Sequence, residues 1–311
     1  MELRNILGTK YPIIQGGMAR IATGAFAAAV SNAGGMGIIA AGGIKAEELR
    51  KEIHIAKSKS DKPFGVNIML IDPEAEACAK VVVEEGIKFV TTGAGTPDTF
   101  MPMWKDAGIR VFPLVASVAT AKRAERSGAD GVIAEGTEAG GHVGELTTMA
   151  LVPQVKAAVN VPVIAAGGIA SGAQMLAALS LGAIAVQIGT AFLLAEECPV
   201  HDNFKQAVIK AKDIDSVVTG RIGGVPVRIL RNKMSRKYIE MEKEGATKEE
   251  LELFTLGALR KAVLEGDTQS GSMMAGQVAG MLNEIRPVAD ILDDIYSGCI
   301  KTMESLKGRF E

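Results

Sequence analysis

One histidine in this chain of 311 residues stands in a setting that suits chemistry. His142 lies in EGTEAGGHVGELTT, flanked by Gly140, Gly141 and Gly144. An imidazole among small residues can exchange protons or hydrogen-bond a ligand near neutral pH. Glu135, Glu138 and Glu145 are close in sequence, and their types fit three roles that spacing alone does not separate: orienting the ring, binding ligand hydroxyls or holding a cation. The other two histidines differ. His54 falls mid-helix in EELRKEIHIAKSK and His201 opens a helix after Pro199, both expected at the surface.

A second constellation is made of glycines. AAGGIASG and QIGTAF supply Gly167, Gly168, Gly189 and Thr190, where main-chain N–H groups could approach an anion without a β-carbon in the way. Ser171 is placed to cap the helix that follows. A phosphorylated ligand is expected there. Gly16, Gly17 and Met18 in QGGM, with Asn67, offer backbone and amide contacts to a flat heterocycle, and Glu135 and Gln187 join them at the same mouth. G-x-G-x-x-G, the P-loop signature and H-E-x-x-H are all missing, and no His/Cys cluster suggests a metal.

These residues need a scaffold that brings distant segments to one place, and the hydrophobic pattern provides it. β-rich runs at 11–15, 36–40, 64–70, 89–93, 111–117, 131–135, 161–166 and 185–189 alternate with helical stretches such as AEELRKEIHIAKSK and VATAKRAERSG. Eight strand–helix units give a (β/α)8 TIM barrel, whose functional face is the carboxyl ends of the strands. Nearly every candidate strand runs into small or polar residues there. The division expected is a barrel over 1–218, an inserted, mainly helical cap after strand 8 over 219–266 without further strands, and a segment 267–311 that packs back on the barrel. The cap opens with a basic stretch, Arg221, Arg228, Arg231, Lys233, Arg236 and Lys237, with no acid among them. It is read either as a solvated face, as a site for an acidic partner or as a grip on cofactor phosphate.

The formal charge of −2 gives no overall field for nucleic acid or an anionic membrane. Residues 161–195 contain no charge, but their glycines divide them into strand, helix and strand, as expected where parallel strands are buried on both faces. The start of the chain has too short an apolar run for a secretory signal. Cys78, Cys198 and Cys299 are odd in number and scattered, which suits a reducing cytoplasm. A homodimer is the expectation for an oligomer.

YPIIQGGMA, PFGVNIML, AEGTEAGGHVGELTTM, PVIAAGGI, AVQIGTAFL, PVRILRNK and SMMAGQVAG, in this order, make nearly the whole chain resemble the FMN-dependent enoyl-acyl-carrier-protein reductases of bacterial type II fatty acid synthesis. Several segments are shared with nitronate monooxygenases, and QIGTAF resembles the phosphate loop of inosine-monophosphate dehydrogenases. The resemblance implies FMN held by Gly16, Gly17, Met18, Asn67, Glu135, Gly141, Gly167, Gly168, Gln187, Gly189 and Thr190, and His142 as the active-site histidine, donating a proton or positioning groups. It implies hydride passing from NADH or NADPH through the flavin to the β-carbon of a trans-2-enoyl thioester, carried by acyl carrier protein. A monovalent cation is a further possible cofactor. The alternative is oxidation of alkyl nitronates by a nitronate monooxygenase with the same flavin.

Overall fold

A computed structural model describes residue 6 and residues 8–308. All eight expected strands are present: β1 (Ile13–Gln15), β2 (Gly37–Ala40), β3 (Phe64–Met69), β4 (Phe89–Gly93), β5 (Arg110–Val115), β6 (Val132–Glu135), β8 (Val163–Ala166) and β9 (Ala185–Ile188). They form one parallel sheet in the order β1-β9-β8-β6-β5-β4-β3-β2. The remaining gap, between β1 and β2, is bridged at Ile14 and Met36, where Gln15 N donates to Met36 O and Met36 N to Ile13 O, each at 2.9 Å. The fold is a (β/α)8 barrel.

Two apolar layers hold it. Inside the barrel Ile14, Met36, Ile38, Phe89, Phe112, Ile133, Ile164 and Ala185 fill the axis. Phe89 and Phe112 stack with ring centroids 5.1 Å apart, and the second ring needs Gly131, because a β-carbon there would stand 2.2 Å from Phe112 Cε1. Outside, a larger cluster joins the strands to the helices and includes the fully buried Trp104, Phe192 and Phe204. Burying each such ring removes it from water at a gain of roughly 2–3 kcal/mol.

The ring of helices closes differently from the sequence expectation, which gave strand eight its own helix before the insertion. The helix Asp202–Ile209 packs on the short turns Thr190–Leu194 and Gln277–Met281. The last ring position belongs instead to the terminal helix Val288–Lys307, which lies against Gly172–Ser180 and Gly24–Asn32. Amphipathic spacing marks both helices as surface-packed and does not say which one sits beside strand one. Gly172 makes the crossing possible, since a β-carbon there would come within 2.1 Å of the Gly298 carbonyl carbon.

The insertion, expected to be mainly helical and without further strand alternation, also contains strands. It begins with two strands, β10 (Ser216–Thr219) and β11 (Val227–Leu230), which pair antiparallel and continue to a two-residue strand β7 (Gly141–His142). Four-residue strands around Pro226 and Arg228 are too short for alternation to be visible. Helices Lys233–Lys243, Lys248–Thr255 and Ala258–Leu264 follow, and the insertion has a small core of its own around Ile229, Met234, Tyr238 and Leu251.

The three cysteines are buried free thiols, and no helix among the described residues is long and apolar enough to cross a membrane. Substituting Gly172→Ala will force the two helices apart and destabilise the fold by about 1–3 kcal/mol, the usual cost of overpacking. Denaturant unfolding will register it as a lower midpoint; an unchanged midpoint would show that the crossing is loose.

Candidate functional site

The carboxyl ends of the barrel strands open into a cavity of about 620 Å³. Gly16, Gly17 and Met18 line it from the tip of β1, Asn67 from β3, Glu135 from β6, Gly141 and His142 from β7, Gly167 and Gly168 from beyond β8, and Gln187, Gly189 and Thr190 from β9 and the turn after it. The structure thus brings together His142 and every residue expected to contact the cofactor, with Glu138 beside them and Glu145 outside the cavity.

The polar floor is set by register. Glu135 pairs across to Ala166, and Ala166 to Gln187, so the two polar side chains belong to one level on alternate strands. Gln187 is buried, and its Oε1 has no hydrogen-bond partner among the described residues. An orphaned acceptor in a site is costly unless a ligand donor meets it, by roughly 1–3 kcal/mol. Asn67 reaches across the strand-one tip, where a β-carbon on Gly17 would fall 2.4 Å from its Cγ, and its Nδ2 donates to Thr91 Oγ1 at 2.9 Å. Gly17 is required by that close approach.

The phosphate-binding expectation is refined by what is already occupied. Ser171 caps its helix as expected, its Oγ accepting from Gln174 N at 3.4 Å, while Gln174 Oε1 accepts from Ala170 N at 2.9 Å. The protein therefore serves that helix start itself. What remains for an anion is the double left-handed turn at Gly167 (φ 88°) and Gly168 (φ 72°), facing the short turn Thr190–Leu194. The Thr190 hydroxyl accepts from Gly276 N at 2.9 Å and so fastens the SMMAG segment to the site, whose Met274 and Val278 contribute apolar wall.

His142 is held by the insertion, through the pairing of His142 with Val227 and Gly141 with Arg228, extended by Val143 N donating to Pro226 O at 3.1 Å. The loop joining the hairpin strands is itself pinned. Arg221 binds Glu145 and donates to Thr137 Oγ1 at 3.1 Å, and the buried Glu242 carboxylate accepts from Gly220 N at 3.1 Å and Ile222 N at 3.0 Å. None of the three acids considered as its orienting partner bonds His142. Glu138 is engaged by Thr148 N at 2.9 Å and Thr148 Oγ1 at 3.1 Å, where it meets the positive end of a helix, and Glu145 belongs to Arg221. Glu135 has no ion pair or hydrogen bond among the described residues.

Burial sets the charge states. His142 is exposed by area where it lines the cavity, and desolvation still pushes its pKa below the ordinary value, leaving a neutral ring at pH 7. Glu135 is pushed up to about 8 by desolvation and holds its proton at neutral pH. Arg228 is buried too, its Nε donating to Thr137 O at 2.8 Å and its Nη1 to Ser216 Oγ at 3.0 Å, so it is a strut of the hairpin and no part of an exposed basic face. His54 pairs with Glu85 at the surface and His201 accepts from Asn203 N at its helix start. No cluster of metal-ligand type occurs among the described residues. Sequence reasoning missed Arg20, Ala94, Val225, Pro226 and Leu259 at the cavity wall. Glycine-rich neighbours were the only signal for any of them.

A parallel barrel with a double left-handed glycine turn, an orphaned amide oxygen and a neutral histidine at one mouth describes the site, and comparison with known proteins gives the family. The sequence profile of the nitronate monooxygenases matches residues 1–85 and 78–298, and the chain belongs to that family. It is similar to FabK from Thermotoga maritima, with 48% identity and a TM-score of 0.96 over 99% of this chain and 98% of that one. It is 30% identical to an octahydroindene-carboxyl-CoA dehydrogenase of Rhodococcus jostii, over 98% of this chain and 97% of that protein. A probable nitronate monooxygenase of Staphylococcus saprophyticus is 33% identical, over 89% and 91%.

The raised pKa of Glu135 carries a sign. Between its ordinary value of 4.5 and about 8 the folded protein keeps a proton that the unfolded chain releases, so this group's stabilising contribution is complete below 4.5 and is lost as pH rises through 8. Glu135→Gln keeps the shape and removes the proton. Its unfolding midpoint will fall less than that of the parent protein between pH 5 and roughly 9; parallel pH profiles of the two proteins would show that Glu135 is ionised throughout.

Proposed function

We propose that the chain is an enoyl-acyl-carrier-protein reductase that uses FMN and NADH or NADPH to reduce trans-2-enoyl thioesters. The observation that carries this reading is the end-to-end identity of 48% with FabK, a reductase of that type, against 33% for a probable nitronate monooxygenase. The site residues fit the cofactor. A phosphate suits the Gly167–Gly168 turn and the start of Thr190–Leu194, and the ring system suits the floor where Gln187 Oε1 lacks a donor and Asn67 crosses Gly17.

Bound FMN supplies a two-electron relay for hydride, which side chains alone lack. The chain's own residues then have three tasks. The insertion and the SMMAG segment, with Val225, Leu259, Met274 and Val278, narrow the mouth and exclude water. His142, neutral and backbone-pinned, presents an N–H that can hydrogen-bond the thioester carbonyl oxygen as negative charge develops there, a contact that strengthens in a desolvated site. Glu135 retains a carboxyl proton at neutral pH and is a donor toward whatever lies on the floor.

The family name supports a second reading, oxidation of alkyl nitronates by the same flavin, with His142 on the nitronate. Anaerobic addition of NADH will bleach the visible flavin absorbance, and a crotonyl thioester will restore it; bleaching by a nitronate and indifference to NADH would favour the alternative. His142→Ala will retain FMN and lower turnover by roughly 10²–10⁴.

The acidic acyl carrier protein is the proposed partner, docking on the exposed cations of the cap. With Arg228 buried and Arg221 and Lys237 paired with Glu145 and Glu240, those of the basic stretch left over are Arg231, Lys233 and Arg236, beside a cleft that Arg231, Arg236 and Lys243 line with Glu240 and Glu244. Charge complementarity at a rim acts mainly on association. Replacing Arg231 and Arg236 together by alanine will lower kcat/KM for carrier-bound substrate and flatten its salt dependence, leaving a coenzyme A thioester unaffected. Equal salt profiles for variant and parent would remove this surface from consideration.

A further inference from the structure

Among the described residues two that are not glycine adopt left-handed backbone, Arg20 (φ 63°) and Ala94 (φ 53°), and both line the cavity. A residue with a β-carbon is strained there and stays only where its surroundings demand it. At Arg20 the surroundings are a tight turn after β1, in which Ile21 N and Ala22 N both donate to Met18 O, at 3.0 and 2.8 Å. The turn carries the guanidinium toward the tip of β2, where Nη2 donates to Gly43 O at 3.3 Å. Gly43 itself is left-handed (φ 79°), and a β-carbon there would be in ordinary contact with the same nitrogen at 3.6 Å.

Arg20 is the only lysine or arginine lining the cavity among the described residues. It is exposed, and no carboxylate comes within the 4.0 Å of an ion pair. The acids lining the cavity have other work or no charge: Asp72 accepts from Gly43 N at 2.7 Å and from Glu74 N at 2.9 Å, Glu138 caps the helix at Thr148, and Glu135 holds its proton. A guanidinium has five N–H donors in a planar fork that matches phosphate. Here one long bond to a carbonyl uses one of them. The position is also separate from the glycine turn that suits the cofactor phosphate, since Arg20 stands between the tips of β1 and β2 and the turn follows β8, with β9 between β8 and β1.

We propose that Arg20, held over Gly43 at the strand-one tip, is a second phosphate clamp, which grips the phosphorylated tail of a substrate entering the cavity. The proposal rests on the reductase reading, which brings two such tails to this mouth: the pyrophosphate of the nicotinamide dinucleotide and the phosphate of the pantetheine thioester. Their shared chemistry is a phosphate ester at fixed reach from the reacting carbon. A clamp on either orients the substrate without touching the atoms that react.

The test uses the FMN-loaded protein with Arg20→Ala and Arg20→Gly. Glycine removes the charge while relieving the strained backbone, so an effect common to both variants belongs to the guanidinium. Calorimetry with ADP-ribose and with 4′-phosphopantetheine as probes distinguishes the two sources, and one of them will bind about tenfold more weakly to both variants. In turnover, KM for NADH or for the coenzyme A thioester will rise in the same proportion, whereas the phosphate-free partners, 1-benzyl-1,4-dihydronicotinamide and the N-acetylcysteamine thioester, will be used as by the parent. Unchanged affinity for both probes overturns the proposal. So does loss of FMN from both variants in a fluorescence titration, which would assign Arg20 to the cofactor. Failure of the reductase reading is seen separately, as parent protein whose flavin NADH does not reduce, and the phosphopantetheine titration still reads the clamp in that case.

Discussion

A parallel barrel ends each strand with main-chain groups that the ladder no longer satisfies, and the carboxyl end of this one collects eight such tips around a single cavity. Buried N–H and C=O groups without partners are costly, so each tip must turn, pair or bind. The molecule uses all three solutions. At β8 the chain turns through two consecutive left-handed glycines, and at β6 it leads into a loop whose Glu138 carboxylate satisfies the start of the helix Thr148–Ala158. The two residues Gly141 and His142 find their partners in a hairpin inserted some eighty residues later. The active mouth is what remains once those demands are met.

This has a consequence for the histidine. Its backbone is fixed from the insertion side and not by the barrel, through a chain of bonds that runs from the buried Glu242 to the loop at Gly220 and Ile222, along β11 and into β7. The loop from β6 is tied into the same unit by Arg221 and Arg228, which bond Thr137 from its side chain and its carbonyl. Cations that read as a single basic face in sequence therefore divide into two kinds. Some brace the histidine loop, and the rest, beginning at Arg231, stand on the outer surface.

The extent to which sequence disclosed this follows from the range of each interaction. Strands buried on both faces must be continuous runs such as VIAA and AVQI, bounded by glycine where the chain turns, and so all eight were visible with their functional tips. Residues that line the cavity at those tips were visible for the same reason, because Gly167, Gly189 and Gln187 are in or adjacent to a legible strand end. Features set by contacts between distant segments were hidden. The pairing of β7 with β11, the choice of Val288–Lys307 as the last ring helix and the capture of Glu138 by Thr148 each depend on partners that local pattern does not name. Arg20 was hidden differently: nothing in QGGMARIA marks its left-handed backbone, which only the turn after β1 imposes.

The same geometry explains how one barrel serves related redox reactions. Beneath the mouth, the floor residues Asn67, Glu135 and Gln187 lie on the strands and the glycine turn directly follows β8; above it, the wall is supplied by Val225, Pro226 and Leu259 from the insertion and by Met274 and Val278 from the segment before the last helix. The insertion has its own small core around Tyr238 and Leu251, while its Leu230, Ala262 and Val263 join the core of the barrel. The part of the molecule that supplies the upper wall also fixes the backbone of His142. Redirecting the enzyme toward another substrate through the insertion would move its histidine as well, since β11 serves both the wall and the ring.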